Sequence, residues 1–526
     1  MRKQILLFFF FSIFVTLSKA QRYNKRIVKD AWATTYNSCV LIGDTLYVTG
    51  IYGWKNAIQN QKPLICKYTL SGELVKQFLF IGDTLRDYGP LQSLIYTKEK
   101  NLVSVCYGAE NGTQQYGVIC TSDASLHLDS VQKLTDTARY SFTFSKIIEL
   151  GDSSLICTGY SGAKTGWGKP TLLKLRKDRS KEWNKYVGIG QKEFYYPTCL
   201  TVRTNGRIVL IAERTIYYPD EIIPTRISVF QVVFELDQKT GNILKTAQLP
   251  SDSIFGSVCL IPTMDGGFIT GNAKADSFSQ KQLVHHGYIS KLDSNYNMIW
   301  RKQIISSYGN SHFNTIKQLA DGNYLGIGEC VNFDSDTTVP FSNPLKSLYA
   351  GWLVKFNEAG DIIWDRKYYG VASYQEFNRL FDFSELPNGD IIACGESTNM
   401  YNDDSFTQDS ILQMGWLLRI GPDGCLSGTN CGYTSIAVPK ESKTIELSIY
   451  PNPAVDKINI ETNALDDTEN YSFVVTDLTG KAITNPVRLF QHSSYIVNAA
   501  NYSRGSYIVS VFHHQQLLFS KKIEKL

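Results

Sequence analysis

Residues 313–330 read FNTIKQLADGNYLGIGEC, and residues 349–370 read YAGWLVKFNEAGDIIWDRKYYG. In the first piece two apolar runs flank Asp321-Gly322-Asn323; in the second, two more flank Ala359-Gly360-Asp361. Gly, Asp and Asn supply the positive φ that tight hairpin turns require, so each piece reads as a β-hairpin. Together they predict four antiparallel strands with a polar insert between the second and third.

The pattern recurs along the chain. Its second apolar run ends at Gly50, Gly108, Gly159, Ala212, Gly271, Gly328 and Gly395, at intervals of 51 to 67 residues. A four-stranded unit repeated in this way cannot bury its own faces and must stack on its neighbours. A linear stack needs polar capping repeats, which are absent here. The expectation is therefore an all-β chain with a seven-bladed β-propeller over residues 21–432. The seventh copy ends after its third run, GWLLRIGPDG. The segment around Arg22–Lys29 is β-compatible and otherwise unemployed, so it is expected to supply the missing strand. Trp183, Trp300 and Trp364 recur in the fourth run, and Trp352 and Trp416 in the third, each of the latter after a glycine. Fixed strand positions point to packing between units.

With 526 residues the chain exceeds one ordinary core. The net charge is +4, of which the first 20 residues carry three positive charges. No concentrated basic patch remains, which excludes nucleic acid as a partner. Arg2-Lys3, the apolar run Ile5–Leu17 and Ser18-Lys19-Ala20 form a signal peptide over 1–20, too short to anchor in a bilayer. The mature chain is expected to carry no transmembrane segment. Of 11 cysteines, Cys425 and Cys431 share a short polar loop suited to a local disulfide. No Cys/His spacing supports a metal site.

At Tyr433 the repeat stops. Residues 433–444 read as a polar linker, and residues 445–526 as a small β-sandwich with runs ELSIYP, KINIE, YSFVVTD, KAITNP, RLFQH, YIVN and a long last segment holding two. This tail resembles the type A C-terminal sorting domain of type IX secretion cargo. The landmarks are IYPNPAVDKINIE (Ile449–Glu461, with Pro451, Asn452 and Pro453), VVTDLTGKAI (Val474–Ile483, with Gly480) and GSYIVSVF to the chain end (from Gly505). The resemblance implies export through the inner membrane, translocation by the type IX machinery, removal of the tail, and release or attachment to surface lipopolysaccharide. Residues 21–432 resemble repeat propellers of the SBBP, kelch and quinoprotein kinds in general pattern only.

Antiparallel units put tight turns on one face and inserts on the other. The inserts are read as 51–62, 109–116, 160–170, 213–226, 272–286, 329–349 and 396–414, and binding is expected on their face. Trp54, Trp167, Tyr160 and Asn272 are the candidate ligand contacts. One residue after the end of the second run stand Ile51, Ala109, Tyr160, Glu213, Asn272, Glu329 and Glu396. Glu213, Glu329 and Glu396 would then ring one mouth as candidate acid–base groups; the alternative is solvated loop acids. Asp334, Asp336, Asp403 and Asp404 could hold calcium in loops; no other cofactor is expected. The leading expectation is a secreted or surface protein, not an enzyme, that binds a glycan, peptide or protein through this face. The alternative is a polysaccharide-active hydrolase using those glutamates.

Overall fold

The computed structural model describes residues 22–27, 33–53, 61–79, 86–110, 114–135, 141–162, 168–188, 193–217, 227–249, 254–279, 282–304, 311–332, 348–370, 376–399, 413–427, 447–462, 471–479, 481–489, 494–513 and 516–526. Every regular element among them is a β-strand. The chain divides into two units, Met1–Ile436 and Ala437–Leu526. The expected signal peptide and linker lie outside the described residues.

In the first unit β1 (Tyr23–Ile27) precedes a series of antiparallel meanders. The first is β2 (Ala33–Ile42), β3 (Thr45–Gly53), β4 (Gln61–Thr69) and β5 (Leu74–Leu79). The second has a divided first strand, β6 (Arg86–Tyr88) and β7 (Ser93–Tyr96), then β8 (Leu102–Glu110), β9 (Gln114–Ser122) and β10 (Leu128–Leu134). The third likewise has β11 (Ser141–Phe142) and β12 (Lys146–Glu149), then β13 (Leu155–Gly162), β14 (Gly168–Leu175) and β15 (Lys181–Tyr186). The fourth is β16 (Glu193–Val202), β17 (Ile208–Tyr217), β18 (Ile227–Leu236) and β19 (Ile243–Gln248). The fifth is β20 (Ile254–Pro262), β21 (Phe268–Ser279), β22 (Gln282–Leu292) and β23 (Met298–Ile304). The sixth, where the quoted stretch falls, is β24 (Ser311–Gln318), β25 (Tyr324–Asn332), β26 (Leu348–Phe356) and β27 (Ile362–Tyr368). Its turn glycines Gly322 and Gly360 have φ of +83° and +80°, as the hairpin reading requires. The last has β28 (Glu376–Glu385), β29 (Ile391–Asn399) and β30 (Gln413–Ile420).

The expected fourth strand of that last meander comes from the other end of the chain, because β1 pairs antiparallel with β30, Tyr23 opposite Arg419. First strands of successive meanders pack side by side, and β28 packs against β2, so the series closes on itself. Aromatic side chains make the joints. Trp183, Trp300 and Trp364 sit where a Cβ on Gly241, Gly360 or Gly424 of the next meander would go, and Tyr23 does the same at Gly72. Trp352 fills the space at Gly287, Trp416 that at Gly351, and Tyr36 that at Gly415, which carries the same packing from the last meander to the first. The recurring tryptophans are therefore packing residues.

A third-strand charge ties each of three sheets to its own first hairpin turn. Lys355 lies 2.7 Å from Asp321, Lys291 lies 2.7 Å from Asp265, and Arg419 lies 2.8 Å from Asp390, each a carboxylate of the hairpin turn beside it. In the fourth meander the sign is reversed: buried Glu235 is held by Arg203, Arg207 and the Tyr296 hydroxyl. A buried charge needs such partners to offset its desolvation.

The second unit has two sheets, one of β31 (Leu447–Tyr450), β32 (Lys457–Thr462) and β35 (Ser494–Asn498), the other of β34 (Val487–Leu489), β33 (Tyr471–Asp477), β36 (Gly505–His513) and β37 (Gln516–Lys525). Their core includes Ile449, Ile460, Phe473, Val475, Val509 and Ile523. KAITNP, read as a strand, makes only an isolated bridge, Ala482 to Thr476. Ile483 N–H instead donates to the Val475 carbonyl at 2.7 Å, so the segment folds back as a turn.

Candidate functional site

The glycine that ends the second run has a local cause. A β-bulge in the first strand pushes a carbonyl into the space a side chain would need: a Cβ on Gly395 would lie 1.8 Å from the Arg379 oxygen, and one on Gly328 would lie 2.0 Å from the His312 oxygen. The strand does not end there. β25 continues to Asn332, β29 to Asn399, β17 to Tyr217 and β21 to Ser279, so the inserts are shorter than the sequence suggests. Glu213, Glu329 and Glu396 thus stand on strands, directly opposite Tyr196, His312 and Arg379 of the first strands.

Two of the glutamates come together. Arg379 Nε is 2.6 Å from Glu329 Oε2, and its Nη1 is 3.5 Å from Glu396 Oε1. The first contact is an ion pair by distance, although neither atom makes a well-directed hydrogen bond. Thr35 Oγ1 donates to Glu396 Oε2 at 3.0 Å, and Gln413 donates to the same oxygen. His312 Nδ1 lies 3.7 Å from Glu329 Oε1. Both glutamates are 5% exposed, which rules out solvated loop acids for this pair. Burial pushes the Glu396 carboxyl above its ordinary value, and the Glu329 charge pushes the same way; Arg379, Gln413 and Thr35 oppose the shift. The cluster joins the sixth, last and first meanders, all at the insert-bearing ends of their strands.

Arg379 itself is the accessible member, with 36% of its side chain exposed. Its guanidinium lies over the Phe377 ring at 4.8 Å, and Phe377 stacks on Tyr349 at 4.1 Å. A cation layered on aromatic faces gains affinity from the ring quadrupole. This layer was missed in the sequence, because Tyr349, Phe377 and Arg379 belong to two repeats and only register brings them together.

Glu213 stands apart from the pair, on the fourth meander. Burial alone pushes its carboxyl up, and its charge adds to burial in raising the Tyr196 hydroxyl, a residue 48% exposed at the rim. Tyr160 lies in β13 with its ring 5.2 Å from Phe194. Asn272 is buried and one position out of the ring of equivalent residues. Counting four residues on from Ile269, Leu325 and Ile392, the partners of Lys291, Lys355 and Arg419, gives Ala273, Glu329 and Glu396. Trp54, Trp167, Asp334, Asp336, Asp403 and Asp404 lie outside the described residues. Among the described residues, no three His, Cys, Asp or Glu side chains form a metal-binding group. Cys425 is disulfide-bonded; Cys431, its expected partner, lies outside the described residues.

In the second unit the PNP motif clamps the final strand. Asn452 Nδ2 donates to the Lys522 carbonyl at 3.0 Å, and its Oδ1 accepts the Glu524 N–H at 2.8 Å. Ala454 continues the contact, accepting the Leu526 N–H at 2.9 Å. Gly505 opens β36 with φ of +147°, a value side-chain-bearing residues rarely adopt. Gly480 lies outside the described residues.

No curated protein matches the chain. Among solved structures, a protein of unknown function from Dyadobacter fermentans is 12% identical, with TM-score 0.44, covering 64% of this chain and 98% of its own. A polysaccharide lyase of family PL25, an ulvan lyase, is 10% identical with TM-score 0.47, covering 76% of this chain and 96% of its own. An α-L-arabinanase from Penicillium chrysogenum is 13% identical with TM-score 0.39, covering 58% and 92%. Residues 448–525 match the family described as the secretion system C-terminal sorting domain, which marks this chain for export to the extracellular or cell-surface face of the outer membrane.

Proposed function

We propose that the exported chain is a seven-bladed β-propeller that binds an extracellular glycan, peptide or protein through the insert-bearing face of its ring. The observation that carries this reading is the half-exposed Arg379 layered on Phe377 and Tyr349 and backed by two buried carboxylates. The carboxylates hold the guanidinium in place, and the aromatic layer offers a flat surface beside it. A ligand rich in hydroxyl or carbonyl acceptors suits that surface, so a glycan is the first to test. The type IX machinery is the proposed export partner, with removal of the tail and release or lipopolysaccharide attachment to follow.

The carboxylates support the second reading, a polysaccharide hydrolase, through one feature: two buried glutamates share one guanidinium, and the carboxyl of Glu396 is pushed up as a general acid requires. Their oxygens are already engaged by Arg379, Thr35, Gln413 and His312, which favours binding over catalysis. A glycan and protein binding screen, with the same polysaccharides assayed for cleavage, separates the readings. Binding that falls at least tenfold in Arg379→Met supports the first. Cleavage that disappears in both Glu329→Gln and Glu396→Gln would replace it with the second. Export that persists after deletion of 445–526 would remove the sorting step.

A further inference from the structure

The seam between the fourth and fifth meanders holds another buried polar group, apart from Arg379. Side chains alternate along a strand. Val209, Ile211 and Val233 pack with Leu260, Phe268 and Leu292, which identifies the face of each sheet that lines this seam. On the fourth meander the same face carries Glu213 and Gln231, cross-strand neighbours. On the fifth it carries Thr270 and Ser290, also cross-strand neighbours, with Asn272 two residues further along β21. All five lie in the seam, with Glu213, Gln231 and Asn272 toward the insert-bearing end.

Gln231, Thr270, Asn272 and Ser290 are buried, Gln231 completely. Both amide atoms of Gln231, the Thr270 and Ser290 hydroxyls and Asn272 Oδ1 make no hydrogen bond to any described residue. Each such group left alone costs about 1–3 kcal/mol, so a run of them in one seam calls for an occupant. Glu213 is half-buried, and among the described residues no charged group offsets that burial. Packed sheets lie only about 10 Å apart with side chains filling the gap, so a sugar ring does not fit between them. The oxygens are one carboxylate, two amide carbonyls and two hydroxyls, the donor set of a hard cation.

We propose that Glu213, Gln231, Thr270, Asn272 and Ser290 form a buried site for a hard metal cation of the calcium type, with water completing the shell. The ion neutralises Glu213 and satisfies the amide and hydroxyl oxygens at once. With a single carboxylate the affinity belongs to the weak extracellular class, Kd on the order of 0.1–1 mM. The site is independent of the ligand reading above, since it needs none of Tyr349, Phe377 or Arg379.

The test uses the full chain stripped of metal. Titration calorimetry with calcium chloride is expected to show one ion per chain, and 10 mM calcium to raise Tm by several degrees. Glu213→Gln and, separately, Asn272→Leu, each with unchanged circular dichroism, are expected to weaken binding at least tenfold. Absence of bound ion at 10 mM calcium would overturn the proposal, leaving buried water in the seam. Unchanged binding in both variants would overturn it as well, by placing the ion elsewhere. An equal rise in Tm from sodium chloride at matched ionic strength would overturn the assignment to a calcium-type ion.

Discussion

Glu329 and Glu396, on the sixth and last meanders, and Glu213, on the fourth, occupy the same position of the same repeat. Their surroundings differ in one respect. Opposite Glu396 the first strand places Arg379, which also reaches Glu329 of the preceding meander. Opposite Glu213 it places Tyr196, and the third strand places the unpartnered Gln231. A repeat therefore fixes where a side chain stands, while its neighbours decide whether it is neutralised, and so what it can bind.

The strongest way to break this contrast is to remove the guanidinium. Arg379→Leu leaves two buried carboxylates facing each other, and urea unfolding should show a loss of about 2–4 kcal/mol. That is less than for a fully buried pair, because the half-exposed guanidinium is partly screened. A loss under 0.5 kcal/mol would mean that the carboxylates are neutralised in another way.

At the seam between the fourth and fifth meanders the matching experiment has the opposite sign. Gln231→Leu in metal-free buffer removes two unsatisfied polar atoms and should raise stability by about 1 kcal/mol, a gain that calcium reverses. Destabilisation in metal-free buffer would show that the amide is already satisfied.

Proton linkage sharpens the contrast further. The folded pKa of Glu213 lies above its ordinary 4.5. The folded chain therefore holds this proton where the unfolded chain has released it, and stability falls as pH rises from 4.5 through the raised value. In chelator, Glu213→Gln should flatten that fall and be the more stable protein at pH 7.5. Thermal unfolding across pH 4–8 reads it directly; identical profiles would show that the carboxylate is compensated.

The smallest effect belongs to His312. Its contact with Glu329 is 3.7 Å and partly solvated, so His312→Ala should change stability by less than about 0.5 kcal/mol at pH 7.5. A larger loss would make the imidazole a structural member of the cluster.

Most of the architecture was legible because its signals are local. Asp321-Gly322-Asn323 and Ala359-Gly360-Asp361 form the turns expected of them, and the spare strand near Arg22 pairs with β30. What escaped depended on register or on distant partners. Asn272 was aligned on Gly271, but the Lys291 pairing shows that Ala273 takes the position of Glu329. The insert beginning at Glu329 begins instead inside a strand, because hairpin pairing outruns the apolar run that announces it. Glu396 reads as a loop acid until Thr35, 361 residues away, is seen to donate to it. Polarity along one strand says little about what the adjoining sheet presents.

The pairing of β1 with β30 also sets an order of events. The strand that completes the last sheet is synthesised first, and its partners, Gly415 to Arg419, come almost four hundred residues later. Until then Tyr23 has no Arg419 opposite it, and β30 has a bare edge. Joining them closes a very long loop, a slow step that local hairpins do not assist. Folding of this unit should thus end in a single late event, and a chain stopped before β30 would present unpaired strand edges to whatever handles it during export.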